Sequence, residues 1–158
     1  MPTVLITDDD ADHRELLSIV LRRLGHEVAE AADAPSAMRA ISAGGIDAIL
    51  LDVRMPGESG VDFCRRLRAE PATATMPIMF VSADVHDSRV LSAFQAGADD
   101  YLTKPFNRIE FGTRLENLLR PRADQAGRSA AAGAAALLAL RGALSRPTAL
   151  DPPLQRIA

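Results

Sequence analysis

The chain has 158 residues, 47% hydrophobic and 25% charged, which is enough apolar material for one buried core plus an appendage. A net charge of −3 argues against a nucleic-acid-binding domain, whose usual footprint is basic, and a lone cysteine excludes a disulfide framework or a cysteine-based zinc site. No stretch reads as a transmembrane helix, "MPTVLITDDD" lacks the basic start of a secretion signal, and a reducing cytoplasm is the expected location.

Short apolar runs alternate with helical periodicity five times along the chain. "TVLIT" (3–7) reads as a buried strand, and Leu16, Leu17, Val20, Leu21 and Leu24 then recur at helical spacing up to Gly25. "EVAEA" (27–31) is a weaker strand, followed by a helix opened by Asp33 and Pro35 and closed at Gly44-Gly45. "DAILLD" (47–52) is the third strand. Ser59 caps a helix that carries Cys64, read as a small buried hydrophobe, and stops before Pro71. "PIMFVS" (77–82) precedes a helix with Val90, Leu91 and Phe94, ended by Gly97. "YLT" (101–103) precedes the last helix, where Asn107 and Glu110 resemble a capping box. Strands without polar alternation are buried on both faces. The reading is a doubly wound α/β domain over residues 1–120, a five-stranded parallel sheet with helices on both sides.

Residues 121–158 change character. Residues 1–120 hold 13 basic and 19 acidic side chains, net −6, whereas the Ala/Pro-rich tail holds 5 and 2, net +3. About 129–145 reads either as an Ala/Leu helix with Leu137, Leu140 and Leu144 on one stripe or as a linker, and Arg141 and the interspersed glycines speak against a membrane anchor.

Ligands of open parallel sheets sit outside the carboxyl ends of the strands. The first strand is followed by Asp8, Asp9 and Asp10, the third by Asp52, the fourth by Ser82 and the fifth by Lys104. The second is followed only by alanines, which fits an edge strand in the order 2-1-3-4-5. Carboxylates brought together repel unless a cation sits among them, and a few oxygen ligands suit Mg²⁺. A hydroxyl and an ammonium opposite would suit a phosphoryl group, so the set describes magnesium-assisted phosphoryl transfer. Lys104 is the single lysine beside 17 arginines, a slim point charge where the chain elsewhere uses a planar fork.

"VLITDDDADHREL", "ILLDVRMPGESG", "MFVSAD" and "GADDYLTKPF" resemble, in this order, the response-regulator receiver domain of two-component signalling. The resemblance implies a signalling phosphoprotein rather than a conventional enzyme, with Asp52 accepting a phosphoryl group from a sensor histidine kinase or phosphotransfer protein. It implies that Asp9, Asp52 and the backbone carbonyl of Arg54 hold Mg²⁺, with Asp8 acting through water. Ser82 would hydrogen-bond the phosphoryl group, Tyr101 would change rotamer with it, and Lys104 would pair with a phosphoryl oxygen, the Lys104-Pro105 peptide being cis. Arg54 and Asp84 would flank the phosphoryl group, either pairing over the mouth and slowing its hydrolysis or standing as two unpaired rim side chains. Partner or homodimer contacts are expected on helix four, strand five and helix five (about 87–119) or through the tail, kinase contact at the first helix, and the output outside this chain. No direct contact with nucleic acid or membrane is expected.

Two rivals use the same residues. Asp8, Asp10 and Asp12 mimic a calcium loop, but His13 and Ile19 stand where that loop needs Gly and Glu. A haloacid-dehalogenase-like phosphatase would make Asp8 the nucleophile, with Lys104 and the pair Asp99-Asp100 as later partners. His13, His26 and His86 read as scattered surface residues.

Overall fold

A computed structural model describes residues 1–120; the expected tail helix or linker at 121–158 lies outside the described residues. Five β-strands alternate with five α-helices: β1 (Thr3–Thr7), α1 (Ala11–Arg23), β2 (Glu27–Ala31), α2 (Ala34–Ser42), β3 (Ala48–Leu51), α3 (Gly60–Ala69), β4 (Ile78–Ser82), α4 (Asp87–Gln95), β5 (Asp100–Thr103) and α5 (Arg108–Leu118). The sheet is parallel throughout, in the order β2-β1-β3-β4-β5.

The unalternating strand sequences follow from having a core on each face. Val4, Ile6, Leu50, Met79, Val81 and Leu102 point to one side, where α1 and α5 cover them with Leu17, Leu21, Phe111 and Leu115. Leu5, Ile49, Leu51, Ile78 and Phe80 point to the other, against α2, α3 and α4 through Ala37, Phe63, Cys64, Leu67 and Ala93. Each large side chain so buried contributes roughly 1.5–3 kcal/mol. Cys64 is fully buried, its Sγ lies 3.6 Å from the Ala96 carbonyl oxygen, and burial pushes its thiol up to about 11, so it packs as an unreactive hydrophobe.

Three local details differ from the sequence reading. Leu16 and Leu24 are 54% and 46% exposed, because α1 lays a single narrow stripe (Leu17, Val20, Leu21) on the sheet and the flanking leucines point past it. Asn107 accepts a hydrogen bond from Glu110 N, but Glu110 Oε2 faces Arg114 at 3.4 Å instead of closing a capping box. The reciprocal box is at α2, where Asp33 accepts from Ser36 N and Ser36 Oγ accepts from Asp33 N. Among the described residues no helix is long and apolar enough to cross a membrane.

At the amino-terminal edge of the sheet, Arg68 ties α3 to the starts of β4 and β5. It donates to the carbonyls of Gly97, Ala74 and Met76 and pairs with Asp99 at 3.1 Å. Asp99 also accepts from Ile78 N at 2.9 Å.

Candidate functional site

The carboxyl ends of β1, β3, β4 and β5 meet over a cleft of about 500 Å³ lined by Asp8, Asp9, Asp52, Ser82, Asp84 and Lys104 among others. Parallel pairing is the cause. Thr7 stands level with Leu51, and Ser82 with Thr103, so residues distant in sequence emerge side by side. A larger groove of about 1040 Å³ between α1 and α5 is lined mainly by apolar and basic side chains and has no comparable set of carboxylates.

One carboxylate oxygen from each of Asp8, Asp9 and Asp52 lies within 4.8 Å of the others, grading from buried Asp8 through half-buried Asp52 to exposed Asp9. Lys104 reaches in from β5 with its Nζ 2.8 Å from Asp8 Oδ2 and 3.6 Å from Asp52 Oδ2, and the Lys104–Pro105 peptide is cis. Asp8 Oδ1 accepts from Asp10 N at 2.9 Å. Burial raises the Asp52 carboxyl above its usual range; the Lys104 ammonium opposes the shift and the Asp8 charge adds to it. Three acids against one ammonium leave negative charge uncompensated. Such an all-oxygen set of three carboxylates has the chemistry of a magnesium site.

The opposite wall is made by β4. Ser82 is buried, and its Oγ accepts from Asp84 N at 3.1 Å. Tyr101 is turned inward, its ring stacked on Phe80 with centroids 5.9 Å apart and its hydroxyl donating to the Asp84 carbonyl at 2.6 Å. Burial raises the phenol's pKa, which keeps that hydroxyl a donor. The Asp84 carboxylate is buried, yet three exposed side chains, two of them arginines, turn toward it. His86 Nδ1 is 2.8 Å from Oδ1, while Arg54 and Arg89 stand 3.8 and 4.0 Å from Oδ2. Burial alone would raise the Asp84 carboxyl, but hydrogen bonds from the His86 side chain and backbone hold it below the usual range.

Gly60, the first residue of α3, was not among the candidate residues. It donates its N–H to Val53 O at 2.8 Å, and a Cβ there would run into the Asp52 carbonyl. The signal lay in "MPGESG", where Gly57 turns the chain at φ +78° and Gly60 brings α3 against the strand end. The histidines are less scattered than their spacing suggested. His13 and His86 both line the cleft, and His13 Nδ1 is 3.0 Å from Lys104 Nζ. His26 is elsewhere, its Nδ1 buried without a hydrogen bond.

The phosphatase reading fails on the placement of its acids. Asp99 bonds the start of β4 and Asp100 pairs with Arg114 at 2.7 Å, both at the amino-terminal end of parallel strands and opposite the edge where Asp8 lies.

Residues 4–116 match the family model of the response regulator receiver domain. The phosphate regulon transcriptional regulatory protein PhoB of Pseudomonas aeruginosa is 38% identical over 118 residues, 75% of this chain and 52% of PhoB. This chain therefore spans about half the length of that curated relative. A Chloroflexus aurantiacus crystal structure assigned as a response regulator is 41% identical with a TM-score of 0.73, covering 77% of this chain and all of that one. The chemotaxis protein CheY4 of Vibrio cholerae is 29% identical with a TM-score of 0.70, covering 75% and 99%. No support for a haloacid-dehalogenase relationship comes from these comparisons.

Proposed function

The chain belongs to the response regulator receiver domain family, and from that membership we propose that Asp52 accepts a phosphoryl group from a phosphohistidine of a sensor histidine kinase or phosphotransfer protein. The observation that carries the reading is the convergence on Asp52 of two further carboxylates and one ammonium from separate strand ends. An Asp52 oxygen forms the new P–O bond as the donor's P–N bond breaks, and the electron pair returns to the imidazole. Ser82 Oγ donates to one phosphoryl oxygen, and the Lys104 ammonium leaves Asp8 for another. Tyr101 then follows Ser82, whose wall it shares. Water later attacks phosphorus, releasing inorganic phosphate and restoring the carboxylate. Asp9, Asp52 and the Arg54 carbonyl would hold Mg²⁺, and Asp8 would hold it through water. When bound, the ion offsets the charge of the carboxylates and phosphoryl oxygens.

Incubation with acetyl phosphate and Mg²⁺, followed by mass spectrometry of the trapped aspartyl phosphate, tests this. The modified peptide should carry Asp52, and Asp52→Asn should reduce incorporation to background. A modified Asp8 with Asp52 untouched would refute the assignment.

The Arg54–Asp84 pair spans the rim of the cleft, and its role in phosphate lifetime is part of the same proposal. With Arg54 73% exposed and the pair at 3.8 Å, its net attraction is small, about 0–1 kcal/mol. Its effect on water access is therefore modest. Arg54→Ala should shorten the phosphate half-life about two- to fivefold, in line with that energy; an unchanged half-life removes the gate.

Residues 1–120 would act as the phosphoacceptor unit, with 121–158 as connecting or dimerising chain; the change in charge at that boundary and the extent of the family match support this division. The output would be a protein contact, through the face of α4, β5 and α5 or through the tail, to a second copy or to a downstream partner. PhoB is named as a transcriptional regulator, which makes a further output module a reasonable expectation for the whole protein. A cytoplasmic location goes with the kinase partner.

A further inference from the structure

The Lys104 ammonium has three near neighbours, not two. Asp8 Oδ2 is 2.8 Å away, His13 Nδ1 3.0 Å and Asp52 Oδ2 3.6 Å. We propose that His13 is a positioning residue for Lys104: its Nδ1 holds the ammonium nearer to Asp8, at 2.8 Å, than to Asp52, at 3.6 Å, for as long as Asp52 is unmodified. The inference rests on the reading of Asp52 as the acceptor.

An ammonium offers only donors, so the Nδ1 that meets it must accept, and the ring proton of the neutral imidazole then lies on Nε2. The alternative, a ring donating from Nδ1, would have to use Asp10 Oδ2 at 3.5 Å or Asp8 Oδ2 at 3.7 Å, both longer than the contact with Lys104. The backbone that carries the imidazole is well anchored. His13 stands in the first turn of α1, where the Asp10 cap accepts from the backbone N–H groups of both Asp12 and His13. Asp8, the other anchor, is itself fixed by Asp10 N. One short segment, residues 8–13, therefore supplies both groups that hold the lysine.

A phosphoryl oxygen on Asp52 would draw the ammonium, now 3.6 Å from Asp52 Oδ2, at the expense of its contact with His13. A contact made in only one of two states biases the equilibrium toward that state by its own net strength. Losing the imidazole acceptor should therefore favour the phosphoryl-bearing state by about two- to tenfold, the range expected for one partly exposed hydrogen bond.

Beryllofluoride with Mg²⁺, a phosphoryl mimic, supplies the probe, and Tyr101, the only tyrosine in a chain without tryptophan, supplies a fluorescence signal beside the site. Titrating the full chain, His13→Leu should bind beryllofluoride two- to tenfold more tightly than the parent. His13→Asn, whose amide oxygen can replace Nδ1 as acceptor, should stay within twofold of it. Unchanged or weaker binding by His13→Leu, or His13→Asn tracking His13→Leu, overturns the proposal. The His13 side chain is 44% exposed, so neither substitution removes core packing. Independently, ¹⁵N spectra of the unliganded protein should show an unprotonated His13 Nδ1, and a protonated Nδ1 overturns the proposal whether or not beryllofluoride binds. If the parent binds no beryllofluoride the acceptor reading itself fails and takes this proposal with it, an outcome distinct from a parent that binds and a variant that matches it.

Discussion

Lys104→Arg is expected to leave the domain folded and to weaken beryllofluoride binding about ten- to hundredfold, the equivalent of one charge-assisted hydrogen bond lost in a partly buried site. The substitution keeps the charge, so any loss reports shape. The Lys104 side chain is 12% exposed, and its Nζ sits within 3.6 Å of Asp8, His13 and Asp52 at once. A point charge on a slim stem can face three groups and turn to a fourth. A planar fork with five fixed donors would fill the space proposed for the phosphoryl group. Fluorescence titration measures the effect, and circular dichroism checks the fold. Binding equal to that of the parent would mean that position 104 requires only a positive charge.

The second large effect is expected at Gly60, a residue that carries no chemistry. Helix propensity alone would have Gly60→Ala stabilise α3 by roughly 0.5–1 kcal/mol. The collision reverses the sign. The new Cβ meets the backbone carbonyl of Asp52, which cannot swing aside as a side chain would, and its carbonyl carbon would lie only 2.9 Å away. Separating α3 from the β3 end should cost about 3 kcal/mol, the upper end of overpacking penalties, and lower the melting temperature by on the order of 10 °C. Phosphoryl uptake should fall as well, because the atom pushed belongs to the proposed acceptor residue. Gly57→Ala is the control. Its φ of +78° is strained for alanine, at about 1–2 kcal/mol, but nothing lies within 4 Å of the added carbon, so uptake should survive. A Gly60→Ala protein with the parent's melting temperature would refute the argument.

β1, β3 and β4 were readable because they are buried on both faces, which leaves a plain apolar run such as "TVLIT" or "AILL", whereas β2 is an edge strand whose Glu27 and Glu30 are exposed. Their ends were readable to within a residue, since Asp47 and Asp52 mark the limits of β3 and fall just outside it. The helices were legible from their caps and glycines, but not in which leucines face inward. Leu16 and Leu17 are equally apolar, and only the seating of α1 on the sheet separates the exposed from the buried one. The acidic pair at 99–100, weighed only in the rival phosphatase reading, precedes "YLT" and so lies at the amino-terminal end of a parallel strand, away from Asp8.

Within the described residues, the order of amino acids by itself determined the elements, the family and the short set of polar side chains that meet at the strand ends. These depend on local burial pattern and on residue type, and both are written along the chain. Only the tertiary structure decided that His13 shares the lysine with Asp8, that Arg54, His86 and Arg89 crowd Asp84, and that Gly60 must lack a side chain. The Lys104–His13, Arg54–Asp84 and Gly60–Asp52 approaches join segments brought together by parallel pairing and helix packing, while His86 and Arg89 reach Asp84 from its own loop and the start of α4. Their distances depend on register and tilt, to which the spacing of residues along the backbone is blind.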